Sequence, residues 1–289
     1  MIVGVIGAGR VGAILGAALT AAGHEVVAVS GASATAKRLL PGVEHLPPDQ
    51  VALKAKDLLI IAVPDDALAG VISGLARMDV FHPGQIVAHT SGAHGLDVLL
   101  PAINVGARPL ALHPAMTFAG TPADLERMRG VSFGVTAPST MVDVASQLVA
   151  DLGGLPEWIA NEKRSLYHAA LAHGANHLVT LVNEAADRLR DAGVLHPEKV
   201  LGPLLGAALD NSLRMGDNAL TGPVSRGDAG TVARHIAVLG ETAPDSLPAY
   251  RALARRTADR AITAGRLRPA DAEALLDVLA TPATVEAAK

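Results

Sequence analysis

Short apolar runs alternate with helical periodicity through the first half of the chain. Residues 1–6 form one such run, and residues 13–22 then repeat their apolar side chains at helical spacing. Further strand-like runs follow at 26–29, 57–63, 85–88, 109–112 and 131–135. Asp65 or Asp66 is placed to cap a helix that continues to Ala76, and a second helix is expected over 141–152. This alternation predicts an α/β domain with a mainly parallel, doubly wound sheet. After Trp158 the strand signal stops. A long helix is expected over 162–192, with Asn161 as N-cap and Gly193 as its stop. Leu171, Ala175, Leu178, Val182, Ala185 and Leu189 recur at three and four residues and mark its expected buried stripe. Shorter helices are expected near 197–213, 228–239, 244–264 and 270–280. The reading is therefore a Rossmann domain over 1–158 and an all-α domain over 159–289.

The turn after the first strand changes this from a fold reading into a ligand reading. Gly7-Ala8-Gly9-Arg10-Val11-Gly12 is G-x-G-x-x-G between a strand and a helix, the fingerprint of a dinucleotide-binding βαβ unit. The glycines allow a tight turn, close approach of a pyrophosphate and close helix packing, and the helix N-terminus favours the phosphate charge. An NAD site commonly ends its second strand with an acidic residue for the ribose hydroxyl. Here that place holds Ser30-Gly31-Ala32-Ser33-Ala34-Thr35, then Lys37 and Arg38, and Glu25 lies before the strand. Hydroxyls and two cations suit a 2′-phosphate, so the expected cofactor is NADP(H). Val63 and Pro64 are expected on the cofactor side of the sheet. An ordinary helix start capped by Ser33 accounts for the same residues without a ligand.

Composition narrows the class. Half of the 289 residues are apolar but only 2% are aromatic, so Ala, Val and Leu must fill a large core. A formal net charge of −4 gives no case for nucleic acid. Without cysteine, disulfides, thiolate chemistry and Cys-based metal sites are excluded. With the first strand starting at residue 2, no signal peptide is expected, and the 13–22 helix is too short to span a bilayer. A cytoplasmic protein with no membrane association is the expectation.

Ligands of doubly wound sheets sit beyond the C-terminal ends of the strands. His89-Thr90-Ser91-Gly92 and His113-Pro114 fall there. His113 can move a proton near neutral pH, or can simply bond a loop at a strand end. Ser91 can hydrogen-bond the same substrate oxygen or serve a Ser-Gly turn. His89 and His94 are weaker candidates. Asn176, Thr180 and Asn183 share a narrow arc of the long helix, with His168 at its border and Lys163 off it. Taken alone, the arc suits a solvated face. His173 and His177 have metal-ligand spacing but no third ligand nearby, so no metal is expected. In the polar turn 220–228, Arg226 can clamp a carboxylate or form a surface ion pair, and Asp228 is a candidate N-cap.

The glycine motif, His89-Thr90-Ser91-Gly92-Ala93, Leu112-His113-Pro114, Tyr167-His168-Ala169-Ala170 with Asn176, and Thr221-Gly222-Pro223 with Arg226-Gly227-Asp228 resemble one family. It is a family of Rossmann-like oxidoreductases with a C-terminal helical domain of unknown function. The architecture is similar to the superfamily of 6-phosphogluconate dehydrogenase, β-hydroxyacid dehydrogenases, ketopantoate reductase and pyrroline-5-carboxylate reductase. The resemblance implies an interdomain cleft and a homodimer formed by the helices. It implies NADPH-dependent reduction of a small keto acid, with ketopantoate the first substrate guess. His113 and Ser91 would hold and protonate the carbonyl oxygen. Asn176 and His168 would orient the substrate, and Arg226 with Thr221 would bind its carboxylate. One departure is that the helix Lys–Asn pair of hydroxyacid dehydrogenases and ketopantoate reductases is missing, since Lys163 is followed four residues on by Tyr167. The Ser91 and His113-Pro114 placements also resemble prephenate and arogenate dehydrogenases. Prephenate-type oxidation, imine reduction and a non-catalytic NADPH sensor are therefore the alternatives.

Overall fold

A computed structural model describes residues 1–31 and 33–280 of the chain, so Ala32 in the expected 2′-phosphate segment lies outside the described residues. The chain divides into two compact units, 1–176 and 177–289.

The first unit is built on eight strands: β1 (Ile2–Ile6), β2 (Glu25–Ser30), β3 (Glu44–His45), β4 (Leu58–Ile61), β5 (Ile86–His89), β6 (Arg108–Pro114), β7 (Ser132–Thr136) and β8 (Leu155–Trp158). Their order across the sheet is β3-β2-β1-β4-β5-β6-β7-β8. Neighbouring strands are parallel except β6 and β7, which are antiparallel and set His113 opposite Gly134. Every residue of β4 and β5 is buried, as expected for parallel strands covered on both faces. The helices of this unit are α1 (Arg10–Ala21), α2 (Ala34–Leu39), α3 (Pro48–Lys54), α4 (Asp65–Arg77), α5 (Leu100–Ile103), α6 (Ala123–Arg127), α7 (Val142–Asp151) and α8 (Arg164–Leu171). One apolar layer joins α1 and α7 to the sheet through Ile14, Leu15, Leu19, Phe133 and Leu148. The other joins α3 and α4 through Val51, Leu59, Leu68 and Ile72. Strand order reverses about β1, with β2 on one side and β4 on the other, so a crevice opens at their C-terminal ends.

Several local expectations are corrected. The edge strand β8, Leu-Pro-Glu-Trp, was absent from the pattern because a proline and a carboxylate interrupt its four residues. Neither Asp65 nor Asp66 caps α4: Pro64 holds the N-cap position, and the two carboxylates sit in the first turn, where they favour the helix dipole. Nor does Asn161 cap the long helix. Its side-chain oxygen accepts the Leu96 N–H at 2.7 Å, and a 3-10 turn at Asn161–Lys163 leads into α8 instead. The single helix expected over 162–192 is α8, a π-helical segment at Ala172–Asn176 and then α9 (His177–Asp191). The unit boundary falls at the end of that π segment, although the strand pattern ends at Trp158. Residues 164–176 stay with the sheet because Arg164 is buried against it.

The second unit contains α9, α10 (Pro197–Met215), α11 (Gly222–Ser225), α12 (Ala229–Thr242), α13 (Leu247–Thr263) and α14 (Pro269–Ala280). Val232, Ala258, Ala261, Ala272 and Leu275 form its core. Asp228 does cap α12, accepting the Thr231 N–H at 2.9 Å. The stripe expected to be buried is not: α9 has no buried residue, and Leu178 is exposed. The adjoining α10 buries only Pro197 and Leu201, leaving Leu204 61% and Leu213 80% exposed. No helix of the described residues is long and apolar enough to cross a membrane.

Candidate functional site

The C-terminal ends of β1, β4, β5 and β6 lie at one edge of the sheet, because these strands are mutually parallel. They deliver the glycine loop, Val63-Pro64, Ser91 and His113 to that edge. Gly7 has φ +84°, and a Cβ there would meet the Ala62 carbonyl oxygen at 2.5 Å, so only glycine fits. A Cβ on Gly12 would meet the Gly7 carbonyl oxygen at 2.5 Å, which is how α1 packs directly on the loop. Gly9 is exposed and faces open space. It offers α1 no side-chain cap, and the first turn holds no acidic residue. An uncapped helix N-terminus above a bare backbone suits a pyrophosphate, so the residues present fit a dinucleotide.

The segment after β2 is used partly for support. The Ser30 carbonyl accepts the Gly7 and Ala8 N–H groups at 3.1 and 2.8 Å. The Ser33 hydroxyl donates to the Ala8 carbonyl and accepts the Ala36 N–H, capping α2. Lys37 is exposed. Arg38 donates to the Gly120 carbonyl, and a Cβ on Gly120 would stand 3.0 Å from Arg10 Cγ and 3.1 Å from Thr35 Oγ1. The loop after β6 therefore lies against the glycine loop and the start of α2, an arrangement the sequence did not suggest. Glu25 starts β2 at the opposite edge of the sheet.

Two cavities meet at His113 and His168. One, of about 430 Å³, is lined by Gly9, Arg10, Val11, Val63, Pro64 and Ser91 together with those two histidines. The other, of about 150 Å³, adds Met116, Thr117, Leu171, Ala175 and Asn176. The π-helical segment supplies Ala172, Ala175 and Asn176 to it, consistent with the frequent use of π turns at functional sites. The smaller cavity matches in volume one that admits a benzene-sized group.

His113 Nδ1 lies 3.0 Å from the Tyr167 hydroxyl. The approach depends on Gly134, whose Cβ would stand 2.6 Å from that oxygen. Gly92 plays the same part on the other side, where a Cβ would lie 3.0 Å from His113 Nε2 and 2.7 Å from His168 Cδ2. The His113 and His168 rings meet edge-on at 6.1 Å. Burial, then the Arg164 charge, then His168, lower the His113 pKa to about 4, with Asp65 opposing. His113 is consequently neutral at physiological pH, which corrects the expectation of a histidine titrating near neutrality. Arg164 is fully buried and makes no ion pair among the described residues. Its guanidinium donates to the Gly134 carbonyl and the Thr136 hydroxyl, both at 3.2 Å, and to the Ser91 carbonyl at 2.5 Å. Burial lowers its pKa to about 10, so it stays charged.

Ser91 is a turn residue whose oxygen accepts the Ala93 and His94 N–H groups at 3.2 and 3.0 Å, leaving its own O–H free to donate. His89 is fully buried, with Nε2 3.0 Å from the Gly95 carbonyl oxygen, and belongs to the scaffold. Lys163 lines neither cavity. Thr180 and Asn183 are exposed on α9. Thr221 and Arg226 lie in the second unit, both exposed at the ends of α11. No group of three or more potential metal ligands occurs among the described residues. Arg164 and Tyr167 were missed as site residues because nothing in spacing marks a buried arginine. Gly134 inside an apolar strand was the only available signal.

Residues 1–114 match the Rossmann-like domain family, and residues 131–257 match a domain of unknown function, DUF2520. The DUF2520 match opens just before β7 and so takes in Gly134, Arg164, Tyr167 and Asn176, while His113 lies within the Rossmann-like match, one residue before its end. No curated protein matches the chain. Among solved structures it is similar to a proposed NADP oxidoreductase from Bacteroides fragilis, at 22% identity and a TM-score of 0.74, covering 89% of this chain and 97% of that one. It is also similar to a reductive aminase from Aspergillus terreus in complex with NADPH and ethyl levulinate, at 20% identity, TM-score 0.64 and 92% and 94% coverage. A third is pyrroline carboxylate reductase from Plasmodium falciparum with NADP bound, at 11% identity, TM-score 0.58 and 94% and 98% coverage. At these identities the likeness establishes the shared fold.

Proposed function

We propose that the protein is an NADP-dependent oxidoreductase that reduces a C=O or C=N bond of a small molecule. The observation that carries this reading is the position of His113, where a cleft lined by the glycine loop meets a smaller, mostly apolar cavity. A redox cofactor in the first and a substrate in the second would meet at that imidazole. When bound, NADPH supplies the hydride. Gly7, Gly9, Gly12 and the N-terminus of α1 hold its pyrophosphate, Val63 and Pro64 flank it, and Lys37 and Arg38 are the cations assigned to the 2′-phosphate. Ser91 O–H and a neutral His113 donate hydrogen bonds to the substrate oxygen or nitrogen, and His168 and Asn176 orient the substrate.

A small keto acid such as ketopantoate is one substrate reading. The NADP-bound pyrroline carboxylate reductase and the reductive aminase among similar structures favour a cyclic or open imine as the second. The exposed apolar rows of α9 and α10 support a homodimer formed through the helical unit. Titration of the protein with NADPH and NADH, followed by nicotinamide fluorescence, tests the cofactor assignment. Tighter binding of NADPH is expected, with loss of affinity in Gly9→Asp. Equal affinity for the two, or none for either, would overturn it.

A further inference from the structure

A neutral imidazole carries its proton on one of two nitrogens, and the partner of one nitrogen decides which. The Nδ1 partner of His113 is Tyr167, at 3.0 Å. Burial raises the Tyr167 pKa, so the phenol keeps its proton. Nδ1 can accept the phenolic O–H, an arrangement that leaves the ring proton on Nε2. Nε2 makes no hydrogen bond among the described residues. It lies beside Gly92, where the missing Cβ leaves it room at the junction of the two cavities.

We propose that Tyr167 is a positioning residue that holds His113 in the tautomer with its proton on Nε2, and that it replaces that proton through Nδ1 when Nε2 gives it up. The chemical use of this arrangement rests on the reductase reading; the tautomer rests on geometry. Hydride addition from the reduced nicotinamide at a carbonyl carbon moves the C=O π pair onto oxygen. That oxygen takes the proton from Nε2, and the N–H pair stays on the ring. Nδ1 takes the Tyr167 proton, leaving the O–H pair on the phenol oxygen as phenolate; the cycle closes when solvent returns a proton to Nε2 and Nδ1 hands its own back to Tyr167. The ring never becomes an imidazolium, which its burial disfavours. Arg164 completes the arrangement. A fully buried cation with no ion pair is costly, and its charge centre lies 5.8 Å from the centre of the Tyr167 ring. It is the counter-charge for the transient phenolate.

The test is nitrogen-15 NMR of the imidazole groups at neutral pH, in the wild-type protein and in Tyr167→Phe, with the His113 signals identified by their loss in His113→Asn. The expected wild-type spectrum shows His113 protonated on Nε2 and bare on Nδ1, and Tyr167→Phe shows a mixture of the two tautomers. A wild-type His113 protonated on Nδ1 overturns the proposal. So does an unchanged tautomer in a Tyr167→Phe protein that melts cooperatively, and the wild-type spectrum decides alone if that variant fails to fold. The readout needs neither substrate nor cofactor, so it is independent of the reductase reading. With a compound that oxidises NADPH, Tyr167→Phe should lower kcat at least about tenfold with KM little changed. An unchanged kcat would overturn the proton replacement.

Discussion

Mild acid should destabilise the first unit through two histidines. His113 and His89 each have a folded pKa of about 4 against 6.5 for the free side chain, with burial the largest cause in both. Between those values the unfolded imidazole is protonated and the folded one is not. The unfolded state therefore binds more protons, and stability present above pH 6.5 is lost as the pH falls toward 4. At about pH 5 the linkage relation gives a loss of roughly 2 kcal/mol per histidine relative to neutral pH. Trp158, the sole tryptophan, lies on β8, so its fluorescence during urea unfolding reads the first unit. Wild-type protein should lose roughly 4 kcal/mol between neutral pH and about pH 5, whereas His113→Asn should lose only about half of that. The comparison is between slopes in pH, so any loss of stability that the substitution causes at neutral pH cancels. An equal acid-induced loss in wild type and His113→Asn would refute the reasoning, since it would mean that His113 titrates alike in both states.

Two further outcomes follow from close contacts and exposed surface. Gly134→Ala should cost about 1–3 kcal/mol by overpacking, because its Cβ would stand 2.6 Å from the Tyr167 oxygen; a proton spectrum in which His113 keeps its wild-type shifts would contradict the contact. In sedimentation the wild-type protein should run as a dimer, and a Leu204→Glu, Leu213→Glu double variant as a monomer with unchanged helical circular dichroism. A wild-type monomer would remove the dimer from the account.

The glycine loop and the strands that carry Val63, Ser91 and His113 were legible in the sequence, because buried parallel strands are continuous apolar runs closed by turn residues. Once those strands are aligned, topology alone brings their ends to one edge. What was not legible depends on tertiary contact. Asn161 reads as an N-cap, yet Leu96, distant in sequence, takes its oxygen. Leu178 lies on an apolar stripe, yet nothing among the described residues buries it. The neutrality of His113 depends first on its burial and then on the charge of Arg164, which local sequence cannot distinguish from a surface arginine. The same holds for Arg38, whose guanidinium is turned to the Gly120 carbonyl by a loop that carries no periodic signal.

The most direct test of the central claim is NADPH oxidation, followed by its absorbance, across a panel of small keto acids that includes ketopantoate and of cyclic and open imines. The panel is run with the wild-type protein, His113→Ala and Asn176→Ala. The account expects at least one compound to be reduced, with turnover lost in His113→Ala while NADPH still binds. Tight NADPH binding without oxidation by any compound, or full turnover in His113→Ala, would contradict it.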